Sequence, residues 1–260
     1  MATLPNPLPK LASDPSGRSL GLRLPPGRLI DATGEDDPWH EPLLWHADKG
    51  AAPGTWAALG SPAARAGLLP VLIDLGSDQG GPQNWDLMPG ETSYPGDHDA
   101  EEVLAEFWGE DPSEAWPGLA DARALVADPD VRATEVADSL TAGPAWFTEP
   151  HLALVPARRS ADIPAAVGWS GPVNHENDVA RLCAVLRSWE DRFGIRVVAL
   201  GFDVLVVSVA APPTTLAAAE SLAAEHFAFC PDNIGQSAPY TLSGYARRLV
   251  GERSWSFWWD

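Results

Sequence analysis

Between Glu176 and Phe193 apolar side chains recur at three- and four-residue steps, namely Val179, Leu182, Cys183, Leu186, Trp189 and Phe193, and Gly194 follows at once. This spacing puts all six on one face of a helix, and a glycine just beyond the last of them suits the left-handed position that closes a helix. The period then changes. Ile195–Leu200 and Asp203–Ala210 are β-branched runs joined through Gly201-Phe202, which read as a strand pair. A one-sided helix followed by paired strands restricts the chain to an architecture in which helices are layered on a sheet.

The C-terminal half continues in this way. His151–Val155 is a short apolar strand, Pro212-Pro213-Thr214-Thr215 opens a helix reaching about Phe229, and a shorter helix spans Thr241 to Val250. The closing Trp255-Ser-Phe-Trp-Trp-Asp260 alternates as a strand, with Trp255, Phe257 and Trp259 on one side.

The N-terminal half is more broken. Proline makes up 26 of 260 residues, about double the usual share, and residues 1–30 read as an extended Pro-rich arm. Residues 39–60 read as packed irregular structure with short helical turns. Gly67–Leu75 reads as a strand that Pro70 pushes to a sheet edge or confines to its second half. Asp97 is the expected N-cap of a helix through Phe107 and Trp108, and residues 113–127 and 131–140 are expected helices, stopped at Gly143-Pro144. The expectation is an α+β fold, helices packed on a mainly antiparallel sheet in two lobes: the arm, an acidic lobe over 31–145 and a C-terminal α+β domain over 146–260.

The formal net charge is −19, and residues 31–130 alone carry 21 acidic and three basic side chains. Such a surface repels phosphate backbones and acidic membranes, which speaks against nucleic-acid and membrane partners; on charge alone it reads first as a solvated surface that keeps the protein soluble, and second as one that steers toward a basic partner. The N-terminus lacks a basic stretch followed by an apolar one of the secretory kind. The most apolar segment, Val197–Ala211, is interrupted at Gly201 and Asp203, well short of the ~20 residues that span a bilayer. Two cysteines build no disulfide framework, so a cytoplasmic protein with reduced thiols is expected.

Four strings carry a resemblance: Trp189-Glu-Asp-Arg-Phe-Gly194, Ala224-Glu-His-Phe-Ala-Phe-Cys-Pro-Asp232, Tyr245-Ala and the terminal Trp255-Ser-Phe-Trp-Trp-Asp260. In this order they resemble the bacterial family called domain of unknown function 4253, over about residues 146–260. Gly67–Trp108 is also similar to the N-terminal half of some actinobacterial members. The resemblance implies a domain boundary near 145 and a bacterial cytoplasmic setting, and it carries no activity.

His226 and Cys230, four apart on an expected helix, fall on one face. This is the base-and-nucleophile pairing of thiol hydrolases, with Asp232 or Asp203 to orient the imidazole. Against it, a cysteine at a helix C-terminus meets a dipole that disfavours the thiolate, unless Pro231 opens a new turn and makes Cys230 its N-cap. The bland reading makes Cys230 a small buried hydrophobe and His226 a core histidine.

With His175 and Asp232 the same pair supplies only half a zinc site, and Asp97-His98-Asp99 with Glu101 and Glu102 lacks the spacing of a calcium loop, so no metal is expected. Gly76–Gly81 fits neither nucleotide-binding glycine motif, and Gly168-Trp-Ser-Gly171 only partly echoes a nucleophile elbow. No cofactor is expected. The 12 tryptophans read first as core, given the area each ring buries. The favoured function is a non-enzymatic protein-interaction module of immunity or antitoxin type, whose acidic lobe, including Asp97, Asp99, Glu101 and Glu102, receives a basic protein. The alternative is a thiol-dependent hydrolase using Cys230, His226 and Asp232.

Overall fold

The computed structural model describes residues 5–33, 38–109, 115–143, 147–236, 238 and 240–260. Its strands form one sheet in the order β1 (Gly27–Ile30), β2 (Leu44–Gly50), β4 (Pro150–Val155), β3 (Leu69–Asp74), β5 (Arg196–Leu200), β6 (Val204–Ser208) and β7 (Ser254–Trp258). Every neighbouring pair is antiparallel except β3 with β5, so the chain has the mainly antiparallel α+β architecture that its periodicities imply. The two expected lobes are joined within this sheet. β4, at the head of the C-terminal half, is inserted between β2 and β3, and β3 separates it from β5. The expected boundary at 145/146 lies outside the described residues.

Helices cover both faces. On one face lie α3 (Ala100–Trp108), α5 (Ile163–Val167), α6 (Val179–Phe193), α7 (Leu216–Phe229) and α9 (Leu242–Leu249), packed over Val71, Ile73, Val155, Val197, Val207 and Phe257. On the other, α2 (Thr55–Arg65) and α4 (Pro129–Thr141) close over Leu72, Leu152 and Val206. The N-terminal segment with α1 (Pro9–Ser13) covers Trp45 and Leu154 on that same side. A strand at the centre of such a sandwich must be apolar in both directions, and Leu152, Ala153, Leu154 and Val155 are all fully buried.

The local signals of the C-terminal half act as their spacing requires. All six residues of the α6 stripe are buried, and the helix ends at Gly194 with φ +61, a conformation that costs glycine little. Thr215 and Thr241 cap α7 and α9 through their hydroxyls. In β7 and just beyond it, Trp255, Phe257 and Trp259 point into the core while Ser256 and Trp258 are half-buried on the opposite face.

The N-terminal half departs from expectation in five places. The arm is not extended throughout: it carries α1 and a 3-10 turn at Arg18–Leu20, and buries Leu8, Leu11 and Leu22 against the sheet. Residues 39–60 contain β2 and the start of α2 rather than irregular turns. Pro70 lies in a central strand, which tolerates it because β5 pairs with β3 only at Leu72 and Ile73; the missing N–H falls where the ladder has not begun. The N-cap of α3 is Asp99, whose carboxylate accepts from the amides of Glu101 and Glu102, because Pro95–Asp97 closes a separate 3-10 turn. Described residues 115–127 are not helical, with Pro117 followed by Gly118 at φ +86. Pro144, expected to stop the next helix, lies outside the described residues, and α4 ends at Thr141.

Candidate functional site

Cys230 closes α7, its amide donating to the His226 carbonyl at 2.9 Å. Pro231 then precedes the single turn α8 (Asp232–Gly235), and the segment lies along the outer edge of β7. The Asn233 amide acts there as one residue of a further strand: Nδ2 donates to the Ser256 carbonyl at 2.7 Å and Oδ1 accepts from the Trp258 amide at 3.2 Å. The Cys230 thiol donates to the Trp258 carbonyl at 3.0 Å, and Asp232 accepts from the Asp260 amide at 3.1 Å. Three side chains of the Cys-Pro-Asp-Asn string thus satisfy backbone groups that an edge strand leaves open to foreign pairing. The sulfur is fully buried, and this burial pushes the thiol up to about 12.

His226 is fully buried as well. Its ring sits among Trp189, Trp255 and Phe257 at centroid distances of 4.9, 4.6 and 4.9 Å. Nδ1 lies 3.0 Å from the Tyr245 hydroxyl, which also receives the Asn233 Nδ2 at 3.4 Å. The hydroxyl oxygen accepts from Asn233, and its contact with His226 Nδ1 leaves the imidazole Nε2 buried without a hydrogen-bond partner among the described residues. Burial, with the Arg192 cation second, pushes the imidazole down to about 3, which keeps it neutral.

The structure does not bring the expected catalytic residues together. The thiol of Cys230 turns to β7, the imidazole of His226 turns to Tyr245, and Asp232 bonds Gln236 and Asp260. No hydrogen bond joins any two of the three side chains among the described residues.

Sequence reasoning missed the group that organises this region. Glu225 is fully buried. It accepts from the Ala120 amide at 2.7 Å, from Trp189 Nε1 at 2.8 Å, and from Arg192 Nη1 and Nη2 at 2.8 and 2.6 Å. Arg192 also donates to the Ala120 carbonyl at 2.8 Å, so one bidentate pair ties α6, α7 and the 115–127 segment together. The available signal was spacing, because Glu225 stands three residues after Leu222 and four before Phe229 on the face of α7 that Leu222 and Phe229 bury.

The acidic residues are placed differently. Asp97, Asp99, Glu101 and Glu102 are exposed at the start of α3, and His98 between them meets Ser93 Oγ at 2.6 Å. Among the described residues no three His, Cys, Asp or Glu side chains converge on a metal position, and no helix is long and apolar enough to cross a membrane.

Fold and site together define an α+β protein whose sheet is backed by helices on both faces and whose last edge strand is sealed by a Cys-Pro-Asp-Asn turn over an aromatic core. Residues 151–260 match the model of the family described as Domain of unknown function (DUF4253). No curated protein and no solved structure matches the chain. The matched stretch takes in nearly all of β4 and the whole of β5, β6 and β7.

Proposed function

We propose that the protein is an interaction module, of immunity or antitoxin type, which binds a basic protein through the acidic surface around α3. One observation carries this. The chain has no Lys or Arg between Arg65 and Arg123, and the carboxylates from Asp78 to Asp121 that lie among the described residues are exposed. Among the described residues only Glu106 meets a cation, Arg181. Carboxylates that lack counter-ions repel one another within a Debye length of ~8 Å, and a basic partner relieves this on docking. The thiol-hydrolase alternative requires the β7 edge to open so that Cys230 and His226 can meet.

The test is salt-dependent capture of a basic protein by wild type and by a variant combining Asp97→Asn, Glu101→Gln and Glu102→Gln. Asp99 stays because it caps the helix. Wild type should retain a basic partner at low salt and release it at high salt, and the variant should retain much less. Equal retention by both, or retention that salt does not change, would refute the reading.

A further inference from the structure

We propose that a groove between α3, α7 and α9 seats one bulky apolar side chain of the basic partner, flanked there by Lys or Arg. This rests on the reading of α3 as a docking surface and names what the partner must carry beside it. The sequence of α7, Leu216–Phe229, is rich in alanine and leucine on every side, and its charged residues are Glu220 and the fully buried Glu225. A helix so apolar all round is ordinarily covered all round. Its inner residues Leu222, Ala223 and Phe229 are buried, but an outer row of Leu216, Ala217, Glu220 and Ser221 is exposed.

Beside this row lies an open groove of about 400 Å³. α7 lines it with Glu220, Ser221 and Ala224, the end of α3 and the segment after it with Trp108 and Pro117, and the start of α9 with Leu242. Ser221 and Ala224 are small and three apart, so they share a face of α7 and leave room above it. Trp108 is held in place by edge contacts with Trp116 and Phe227, both at 5.7 Å. Leu242 is 36% exposed. An aromatic and an aliphatic side chain thus stand ready to cover a third.

Charge selects the occupant. Glu220 is the charged residue of the lining, and among the described residues it pairs with no cation. The stretches that build the groove, 66–122 and 197–246, contain no Lys or Arg. The cations of α9, Arg247 and Arg248, stand in its last turn, where Arg248 donates to the Ala238 carbonyl at 2.8 Å. The exposed carboxylates of α3 adjoin the groove, because Glu101 Oε1 lies 3.8 Å from where a Cβ on Gly118, next to Pro117, would stand. A second copy of the chain would bring another net charge of −19 to this surface, and a purely hydrophilic cation would leave Trp108 and Leu242 uncovered. A basic segment with one bulky apolar residue meets both demands.

The test is fluorescence anisotropy of two labelled, capped peptides of equal charge, with six lysines around a central phenylalanine or around a serine, titrated with the full chain at low and physiological salt. Both should bind through charge and weaken as salt rises. The phenylalanine peptide should bind about tenfold more tightly, since the open groove covers part of the ring. Ser221→Phe, which fills the groove from an exposed position, and Leu242→Ser, which removes a wall, should each abolish that difference and leave the affinity for the serine peptide unchanged. Equal affinity of the two peptides, or a difference that both variants preserve, overturns the groove while the charged surface stands. Failure of both peptides to bind at low salt overturns the groove and the acidic docking surface together. Phenethylamine competing as well as the phenylalanine peptide at equal concentration, or self-association that Ser221→Phe abolishes, assigns the groove to another occupant and overturns the proposal.

Discussion

Glu225→Gln is the substitution with the sharpest expected consequence. The side chain keeps its shape, but an amide presents one acceptor and one donor where the carboxylate presents two acceptors. Each carboxylate oxygen now accepts from two N–H groups, Oε1 from Ala120 and Arg192, Oε2 from Trp189 and Arg192. Whichever way the amide turns, its NH₂ faces two donors. Two hydrogen bonds are lost and the Arg192 side chain, 12% exposed, keeps a charge that is no longer neutralised.

Breaking a buried pair from one side costs about 3–5 kcal/mol, a large part of the 5–15 kcal/mol that holds a typical protein folded. The isosteric amide retains two of the four bonds, so a loss of about 3 kcal/mol is expected. Urea unfolding followed by tryptophan fluorescence measures it. A double-mutant cycle with Arg192→Met isolates the pair and should give a coupling near the upper end of the ~0.5–3 kcal/mol found for directly interacting residues. Glu225→Gln within about 0.5 kcal/mol of wild type, or strictly additive single variants, would show that the charge pair does not hold these helices together.

Four further outcomes are expected. Both thiols are fully buried, so iodoacetamide should label neither Cys183 nor Cys230 in the folded protein near neutral pH; rapid, pH-dependent labelling of Cys230 would mean that the edge is open. His226 is held near 3 against an ordinary 6.5, so between those values the unfolded chain binds the proton that the folded one refuses. Wild type should therefore lose stability as pH falls from 6.5 toward 3, by up to about 1.4 kcal/mol per pH unit, and its advantage over His226→Gln should shrink toward acid; a constant gap refutes this. Asn233→Ala exposes the Ser256 carbonyl and the Trp258 amide, and hydrogen exchange at Trp258 should quicken by an order of magnitude or more, whereas unchanged exchange would show that something else seals the edge. A fragment of residues 146–260 lacks β3 and should unfold without a cooperative transition, unless β4 and β5 can close on each other.

What was legible in the sequence was local. The α6 stripe, Gly194, the threonine caps and the alternation of Trp255, Phe257 and Trp259 each need only a few neighbouring residues to express a helical or extended period, and each is in place. What escaped depends on separation. The carbonyl that receives the Cys230 thiol is 28 residues away, and the amide of Ala120 is 105 residues from Glu225. Side-chain chemistry alone leaves a cysteine and a histidine four apart open both as core residues, the favoured reading, and as a nucleophile with its base. Only the position of β7 turns the cysteine, with Asn233, into a backbone cap. Pro70 misled for the same reason, since its cost depends on whether β5 reaches it.

Topology shows what the resembling strings do in the fold. β4 opens the matched stretch and β5 follows in sequence, yet β3 from residues 69–74 lies between them, so the matched half completes its sheet only with a strand from the other half. Its distinctive side chains, Trp189, Arg192, Glu225, His226, Cys230 and Tyr245, are taken up by one another and by β7. Side chains open to solvent are left to the residues around them, and the sheet divides them between its two faces. The carboxylates of α3 stand over one face, with Val103 and Leu104 in the core of that side. A cleft lined by Arg159 and Arg196 together with their ion-pair partners Glu190 and Asp130 opens over the other, between α2 and α4.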